Sequence, residues 1–87
     1  MTDTLARLHR LWCDNVRDLP AAKFLSTAEI ERDLEADSLD RVALAMGAEG
    51  DFDIAISDAE LSQWCTIGDI VACIDRLLAI KAEMAGG

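Results

Sequence analysis

The feature that most constrains the fold is a helical spacing of apolar residues in three separate segments of the chain. Apolar residues recur at three- and four-residue steps over residues 4–16, again after Asp37 and again after Thr66. This spacing places them on one face of a helix. Pro20 ends the first segment, because proline cannot donate to the helix ladder. The pattern therefore predicts three amphipathic helices.

Capping residues predict where the later helices begin. Either residue of the Asp37-Ser38 pair can accept a hydrogen bond from the first turn of the second helix, which would end within residues 47–52. Ser57 and Thr66 each stand three residues before an acidic side chain, which is the capping-box pattern. They predict a short third helix and a longer last helix that ends before residues 86–87.

These elements predict an all-α fold: a small four-helix bundle with three longer helices, one short helix and a long loop between the first and second helices. A chain of 87 residues suits one domain spanning residues 1–87, with residues 83–87 as a flexible tail. The loop, residues 20–37, is expected to be held by apolar anchors. These anchors are Phe24, Leu25, Ile30 and Leu34.

The charge is concentrated in one segment of the chain. Residues 29–60 carry eleven acidic and two basic side chains, which accounts for the whole formal net charge of −9. Such a balance argues against nucleic acid and anionic membranes and favours partners with basic surfaces. No apolar stretch approaches the roughly 20 residues of a membrane span. We therefore expect a cytoplasmic monomer.

Residues suited to catalysis or metal binding are scarce. Cys13, Cys65 and Cys73 lack a C-x-x-C spacing and lie among apolar neighbours, so they are interpreted as reduced thiols in or near the core. His9 stands four residues before Cys13, yet an amphipathic helix brings such neighbours together by chance. No phosphate loop or metal-ligand spacing occurs. The sequence therefore favours a binding or carrier module without a metal site or catalytic residues.

One string of residues resembles a known family. DLEADSLDRVALAMGAEGDFDIAISDAE, followed by CTIGDIVACI, is similar without a gap to acyl carrier proteins over residues 33–74. The resemblance implies a 4′-phosphopantetheine arm, taken from coenzyme A by a phosphopantetheinyl transferase and esterified to Ser38. It also implies that Asp37 assists the transferase and that Leu39 contacts partner enzymes. The chain would then be a substrate of other enzymes and not itself an enzyme.

The resemblance also assigns residues around the arm. Charged side chains expected to bind acyl-loading and acyl-transferring enzymes with basic surfaces are Asp40, Arg41, Glu49, Asp51 and Asp53. Apolar side chains expected to line an acyl pocket inside the bundle are Val42, Met46, Phe52, Ile54, Ile67, Ile70 and Val71. Leu34 and Ile74 would join them in the interior. Ordinary core packing explains the same apolar positions, and Trp64 fits either the core or a contact surface.

Two departures from the family pattern bear on the pathway. Glu35 stands where the common D-L-G-A-D-S-L string has glycine, and glutamate resists a positive φ. The second helix also has fewer glutamates than bulk fatty-acid carriers, and Arg41 adds a positive charge. These differences favour a specialised carrier in fatty-acid, lipid or polyketide-type biosynthesis. The alternatives are an aminoacyl or peptidyl carrier, and an acidic helical adaptor with Ser38 unmodified.

Overall fold

Four helices form where the apolar spacing predicts them. The computed structural model describes residues 3–86, and within them no strand occurs. The strand-like alternation after Asp53 is a loop. The helices in chain order are α1 (Asp3–Asn15), α2 (Ser38–Phe52), α3 (Asp58–Ser62) and α4 (Ile67–Gly86). The prediction of a small all-α bundle with one short helix is confirmed.

The predicted capping residues hold the starts of α3 and α4. Ser57 caps α3, and its hydroxyl accepts a hydrogen bond from the Glu60 amide at 3.2 Å. At the start of α4, the Thr66 hydroxyl accepts a hydrogen bond from the Asp69 amide, and the Asp69 carboxylate accepts one from the Thr66 amide. α4 extends through most of the predicted tail to Gly86, one residue further than expected, and Gly87 lies outside the described residues.

The long loop between α1 and α2 is attached to the start of α4. A 3-10 turn (Ala21–Lys23) begins it, and backbone hydrogen bonds then join residues 26–30 to residues 65–68. Gly68 allows the closest approach, because a Cβ at this position would lie 2.9 Å from the Ser26 carbonyl oxygen. The loop is therefore ordered by backbone pairing as well as by its apolar anchors.

The core is filled mainly by aromatic and branched side chains from α1, α2, α4 and the connecting loops. Of the four predicted loop anchors, Phe24, Ile30 and Leu34 are buried, whereas Leu25 is 52% exposed and is not an anchor. Trp64, which the sequence left open, belongs to the core. The largest fully buried side chains are Leu8, Trp12, Phe24, Ile30, Leu44, Trp64, Ile67, Ile70 and Ile74.

Candidate functional site

Ser38 is the first residue of α2 and lies at the surface. Asp37, not Ser38, caps the helix: its Oδ1 accepts a hydrogen bond from the Asp40 amide at 2.9 Å, and the Asp40 carboxylate accepts one from the Asp37 amide at 3.2 Å. Nothing within residues 3–86 forms a hydrogen bond to the Ser38 hydroxyl. Because Asp37 does the capping, this hydroxyl is left free at the mouth of the loop.

The loop that leads into Ser38 contains a residue in the left-handed region. Glu35 has φ 55°, the conformation for which the family string uses glycine. Leu34 and Ala36 on either side are buried, and the Ala36 amide donates to the Ile30 carbonyl at 3.0 Å. Glutamate disfavours a positive φ, yet Glu35 adopts one, because its buried neighbours impose the turn.

Helices α1 and α4 and the loop after α1 supply basic side chains to the acidic face of α2. The ion pairs are Arg17 with Asp40 at 2.7 Å, Arg7 with Asp51 at 2.7 Å and Lys81 with Asp53 at 2.9 Å. The Lys81 ammonium holds the pKa of Asp53 below its ordinary value through a hydrogen bond and its charge. The acidic excess seen along the sequence is thus partly neutralised in three dimensions.

The two remaining charged residues predicted to bind partners also have partners within the chain. Glu49 accepts a hydrogen bond from the Ile56 amide at 2.9 Å, which ties the end of α2 to the loop before α3. Arg41 lies 3.7 Å from the Glu31 carboxylate, and its Nη1 donates to the Leu61 carbonyl at 3.5 Å. All five predicted partner-binding side chains therefore already make contacts inside the fold.

An apolar stripe follows Ser38 along the outer surface of α2. Leu39 is 77% exposed, Val42 42% and Met46 66%. Their spacing of three and four residues puts them on one side of the helix. The contact role of Leu39 stays a prediction. The prediction that Val42 and Met46 line the interior is wrong, because Leu44, Ala45 and Ala48 occupy the inner face.

Comparison with known families identifies the chain's relatives. The family described as "Phosphopantetheine attachment site" matches residues 6–74, which include most of α1, the long loop, α2, α3 and the first part of α4. This chain belongs to that family. It is therefore a phosphopantetheine-carrying carrier domain, a substrate that other enzymes load and unload, and its cofactor is covalently attached 4′-phosphopantetheine.

The residues present fit this cofactor. A phosphodiester needs a free hydroxyl, and Ser38 offers one that is exposed and makes no hydrogen bond to residues 3–86. The first-turn amides of α2 have no acceptor within the helix, and amides in this position favour a nearby phosphate. The start of α2 thus suits both the ester bond and the charge of the arm.

The interior of the carrier contains the rest of the predicted pocket residues. Phe52, Ile67 and Ile70 are buried, and Ile54 and Val71 are partly buried. Leu34 and Ile74 are buried as expected. These side chains pack into one hydrophobic cluster with both tryptophans. The structure thus places them inside the bundle but shows them packed against one another.

Two surface cavities lie at opposite ends of α2. The first, of about 250 Å³, adjoins the first turn of α2 and is lined by Glu29, Glu31, Arg41, Ser62, Trp64 and Cys65. The second, of about 530 Å³, lies beyond the last turn and is lined by Asp53, Ile54, Ala55, Leu77, Ile80, Lys81 and Met84. The cavity near Ser38 is thus mainly polar, and the distant one is mainly apolar.

The thiols and the histidine of the carrier form no catalytic pair. The imidazole Nε2 of His9 donates to the Leu19 carbonyl at 2.6 Å, so this nitrogen cannot accept a proton from the Cys13 thiol 3.5 Å away. Burial raises the pKa of the Cys73 thiol. Cys65 is exposed, against the prediction that all three thiols lie in or near the core.

The described part of the chain has neither a metal-ligating cluster nor a helix suited to span a bilayer. No cluster of three or more metal-ligating side chains occurs within it. None of its helices has the length and apolar character that a bilayer span requires.

Sequence reasoning missed the ion pairs and the reciprocal cap at Asp37. A signal for the cap was present, because Asp40 stands three residues after Asp37, the spacing of a capping box. No local signal announces the ion pairs, since their partners are 23 to 44 residues apart in sequence. Only the packing of α1 and α4 beside α2 brings them together.

Proposed function

We propose that this carrier bears its 4′-phosphopantetheine arm on Ser38 and transports acyl groups as thioesters on the terminal thiol of the arm. In the attachment step, the Ser38 hydroxyl oxygen forms a bond to the phosphorus of the coenzyme A diphosphate that carries the pantetheine group. The bond from that phosphorus to the adenosine bisphosphate breaks, and the hydroxyl proton is lost. A phosphopantetheinyl transferase catalyses this step, and acyl-transferring enzymes then use the arm.

The single observation that carries the assignment of Ser38 is its free hydroxyl at the start of α2. The other serines on helices or caps are engaged: Ser57 caps α3, and Ser62 donates to the Ala59 carbonyl at 2.8 Å. Ser38 has no such bond within residues 3–86 and lies where first-turn amides favour a phosphate. These features support Ser38 over the other two.

Two features support the acyl branch and a specialised pathway. The D-S-L-D string at residues 37–40 and the F-D-I element at residues 52–54 are similar to acyl carriers rather than to aminoacyl or peptidyl carriers. In α2, Ala43, Gly47 and Gly50 interrupt the face on which bulk fatty-acid carriers display several glutamates, and Arg41 adds a positive charge. We infer a carrier for a dedicated fatty-acid, lipid or polyketide-type pathway in the cytoplasm.

The outer face of α2 also indicates which side chains contact partner enzymes. Since Asp40, Asp51 and Asp53 are already ion-paired, their attraction for a basic partner is reduced. The apolar stripe beside Ser38 is unpaired and offers the stronger contact. We infer that partner enzymes contact Leu39, Val42 and Met46 first, with the acidic side chains around them assisting a basic surface.

Intact-protein mass spectrometry tests the attachment residue. The protein is incubated with coenzyme A and a broad-specificity phosphopantetheinyl transferase, alongside Ser38→Ala and the matched control Ser62→Ala. We expect the mass of one phosphopantetheine to be added to the wild type and to Ser62→Ala and not to Ser38→Ala. The helical circular dichroism of all three should be the same.

A loaded Ser38→Ala protein would overturn the assignment of Ser38. Failure of the wild type to gain mass with two different transferases would instead favour the acidic adaptor with an unmodified serine.

A further inference from the structure

Arg17 is fixed to the core just beyond the end of α1. Its backbone amide donates a hydrogen bond to the Trp12 carbonyl at 3.2 Å. Its guanidinium lies over the Trp12 ring, 5.5 Å from the centroid, and Trp12 itself is buried. An arginine stem packed on a buried ring in this way has a restricted position. The charged group is therefore held beside the start of α2.

The guanidinium of Arg17 joins the loop before Ser38 to the first turn of α2. Its Nη1 donates to the Leu34 carbonyl at 3.5 Å, and its Nη2 donates to the Asp40 carboxylate at 2.7 Å. Leu34 directly precedes Glu35, which has φ 55°. An unfavourable backbone conformation persists only where its surroundings fix it. Arg17 supplies one of the contacts that fix this loop.

The Asp40 oxygen that Arg17 binds also takes part in the helix cap. Asp40 Oδ2 accepts hydrogen bonds from both Arg17 Nη2 and the Asp37 amide, the latter at 3.2 Å. The Asp40 amide donates in return to Asp37 Oδ1. This reciprocal cap is what leaves the Ser38 hydroxyl free. By holding the shared oxygen, Arg17 fixes the cap on which that free hydroxyl depends.

We propose that Arg17 is a positioning residue for phosphopantetheine attachment, which holds Asp40 and the loop so that the Ser38 hydroxyl is presented to the transferase in one place. The inference rests on the proposed function, because it requires attachment at Ser38. Arg17 acts through Asp40 and not by contact with coenzyme A. A misplacement of a reacting group by about 1 Å costs on the order of 100-fold in rate, so such a contact matters for the reaction.

Arg7 provides a matched control at the other end of α2. Its guanidinium also lies over an aromatic ring, 4.1 Å from the centroid of Phe52, and it pairs with Asp51 at 2.7 Å. The side chains of the two arginines have similar exposure, 47% for Arg17 and 41% for Arg7. Replacing Arg7 therefore removes a comparable ion pair between the α1 region and α2 but leaves the cap beside Ser38 intact.

The kinetics of attachment test the proposal. Wild type, Arg17→Met and Arg7→Met are incubated with coenzyme A and the transferase over a range of carrier concentrations, and intact mass measures the rate. Methionine keeps an apolar stem against the ring in both variants. We expect the kcat of Arg17→Met to fall about tenfold without a rise in KM, and that of Arg7→Met to match the wild type. An unchanged kcat, or a rise in KM alone, would overturn the proposal.

Two further variants separate positioning through Asp40 from a general loss of stability. Arg17→Lys keeps a cation for Asp40 and should restore most of the lost kcat. In an Asp40→Asn background, Arg17→Met should cause little additional loss, because the charge through which Arg17 acts is already absent. A lysine variant as slow as the methionine variant, or a full additional loss in the double variant, would contradict action through Asp40.

Amide hydrogen exchange, followed by NMR on the unloaded protein, gives a readout that does not depend on the transferase. The Asp37 and Asp40 amides should exchange several-fold faster in Arg17→Met than in the wild type or in Arg7→Met, because their cap is loosened. Equal exchange in all three proteins would overturn the proposal. Failure of the wild type to load would overturn the proposed function instead, whereas normal loading of Arg17→Met would overturn only the role of Arg17.

Discussion

The two ends of α2 are built differently. At its start, the side chains of Asp37 and Asp40 accept hydrogen bonds from each other's amides, Ser38 is exposed and the neighbouring cavity is mainly polar. At its end, Asp53 adopts the left-handed conformation and its amide donates to the Glu49 carbonyl, beside an apolar cavity. The first end leaves a hydroxyl free for chemistry, and the second only terminates the helix.

An acidic residue with φ 55° occurs near each end, for different reasons. Asp53 is a helix C-cap, and aspartate is among the residues that tolerate this conformation. Glu35 is not favoured there and is imposed by its buried neighbours, so the loop before Ser38 carries the greater backbone strain. The comparison teaches that the end of α2 that bears the candidate site is preceded by the less favourable backbone conformation.

The largest expected difference between the two ends is in packing. Trp64→Ala removes a side chain that is 2% exposed beside the first turn of α2 and should lower the free energy of unfolding by about 3–5 kcal/mol. Met84→Ala, at a 79% exposed position on the apolar cavity, should change it by less than about 0.5 kcal/mol. Urea unfolding measures both. Equal losses would contradict the assignment of Trp64 to the core and of Met84 to the surface.

A smaller effect is expected from the cap at the start of α2. Asp37→Ala removes the acceptor of the Asp40 amide and should cost about 1 kcal/mol in unfolding free energy. Asp37→Ser keeps a good capping group and should retain most of the stability. Thermal or urea unfolding compares them, and an equal loss in both variants would show that capping is not the role of Asp37.

The smallest effect is expected from the exposed ion pair at the other end. The hydrogen bond and charge of Lys81 lower the pKa of Asp53 below its ordinary value of 3.8 in the folded state. The pair therefore stabilises the fold above the ordinary pKa, and its contribution is lost as the pH falls through the lowered folded value. Added salt should also weaken it, because the pair is exposed.

Lys81→Met checks this pH dependence against Lys23→Met, whose lysine is exposed and makes no ion pair within residues 3–86. Urea midpoints should show a small deficit for Lys81→Met at about pH 7 that shrinks progressively as the pH falls below the ordinary pKa of Asp53. A deficit of the same size across this pH range would mean that Asp53 is not the partner that matters.

Local signals in the sequence predicted the helices well and the side-chain environments less well. The apolar spacing, Pro20 and the capping residues at Ser57 and Thr66 located the four helices, because these effects act within a few residues. Spacing alone did not tell which apolar side chains of α2 face inward. Val42 and Met46 fit the same helical period as Leu44 and Ala48, and only the neighbouring helices choose between the two sets.

By itself, the sequence determined an all-α carrier with a serine at the start of its second helix, because helical periodicity, caps and the D-S-L string are all local. Only the tertiary structure decided three other properties. It assigned the cap to Asp37, paired the acidic face of α2 with side chains from α1 and α4, and filled the interior around Trp64. Each depends on contacts between residues distant in sequence, which come together only when the helices pack.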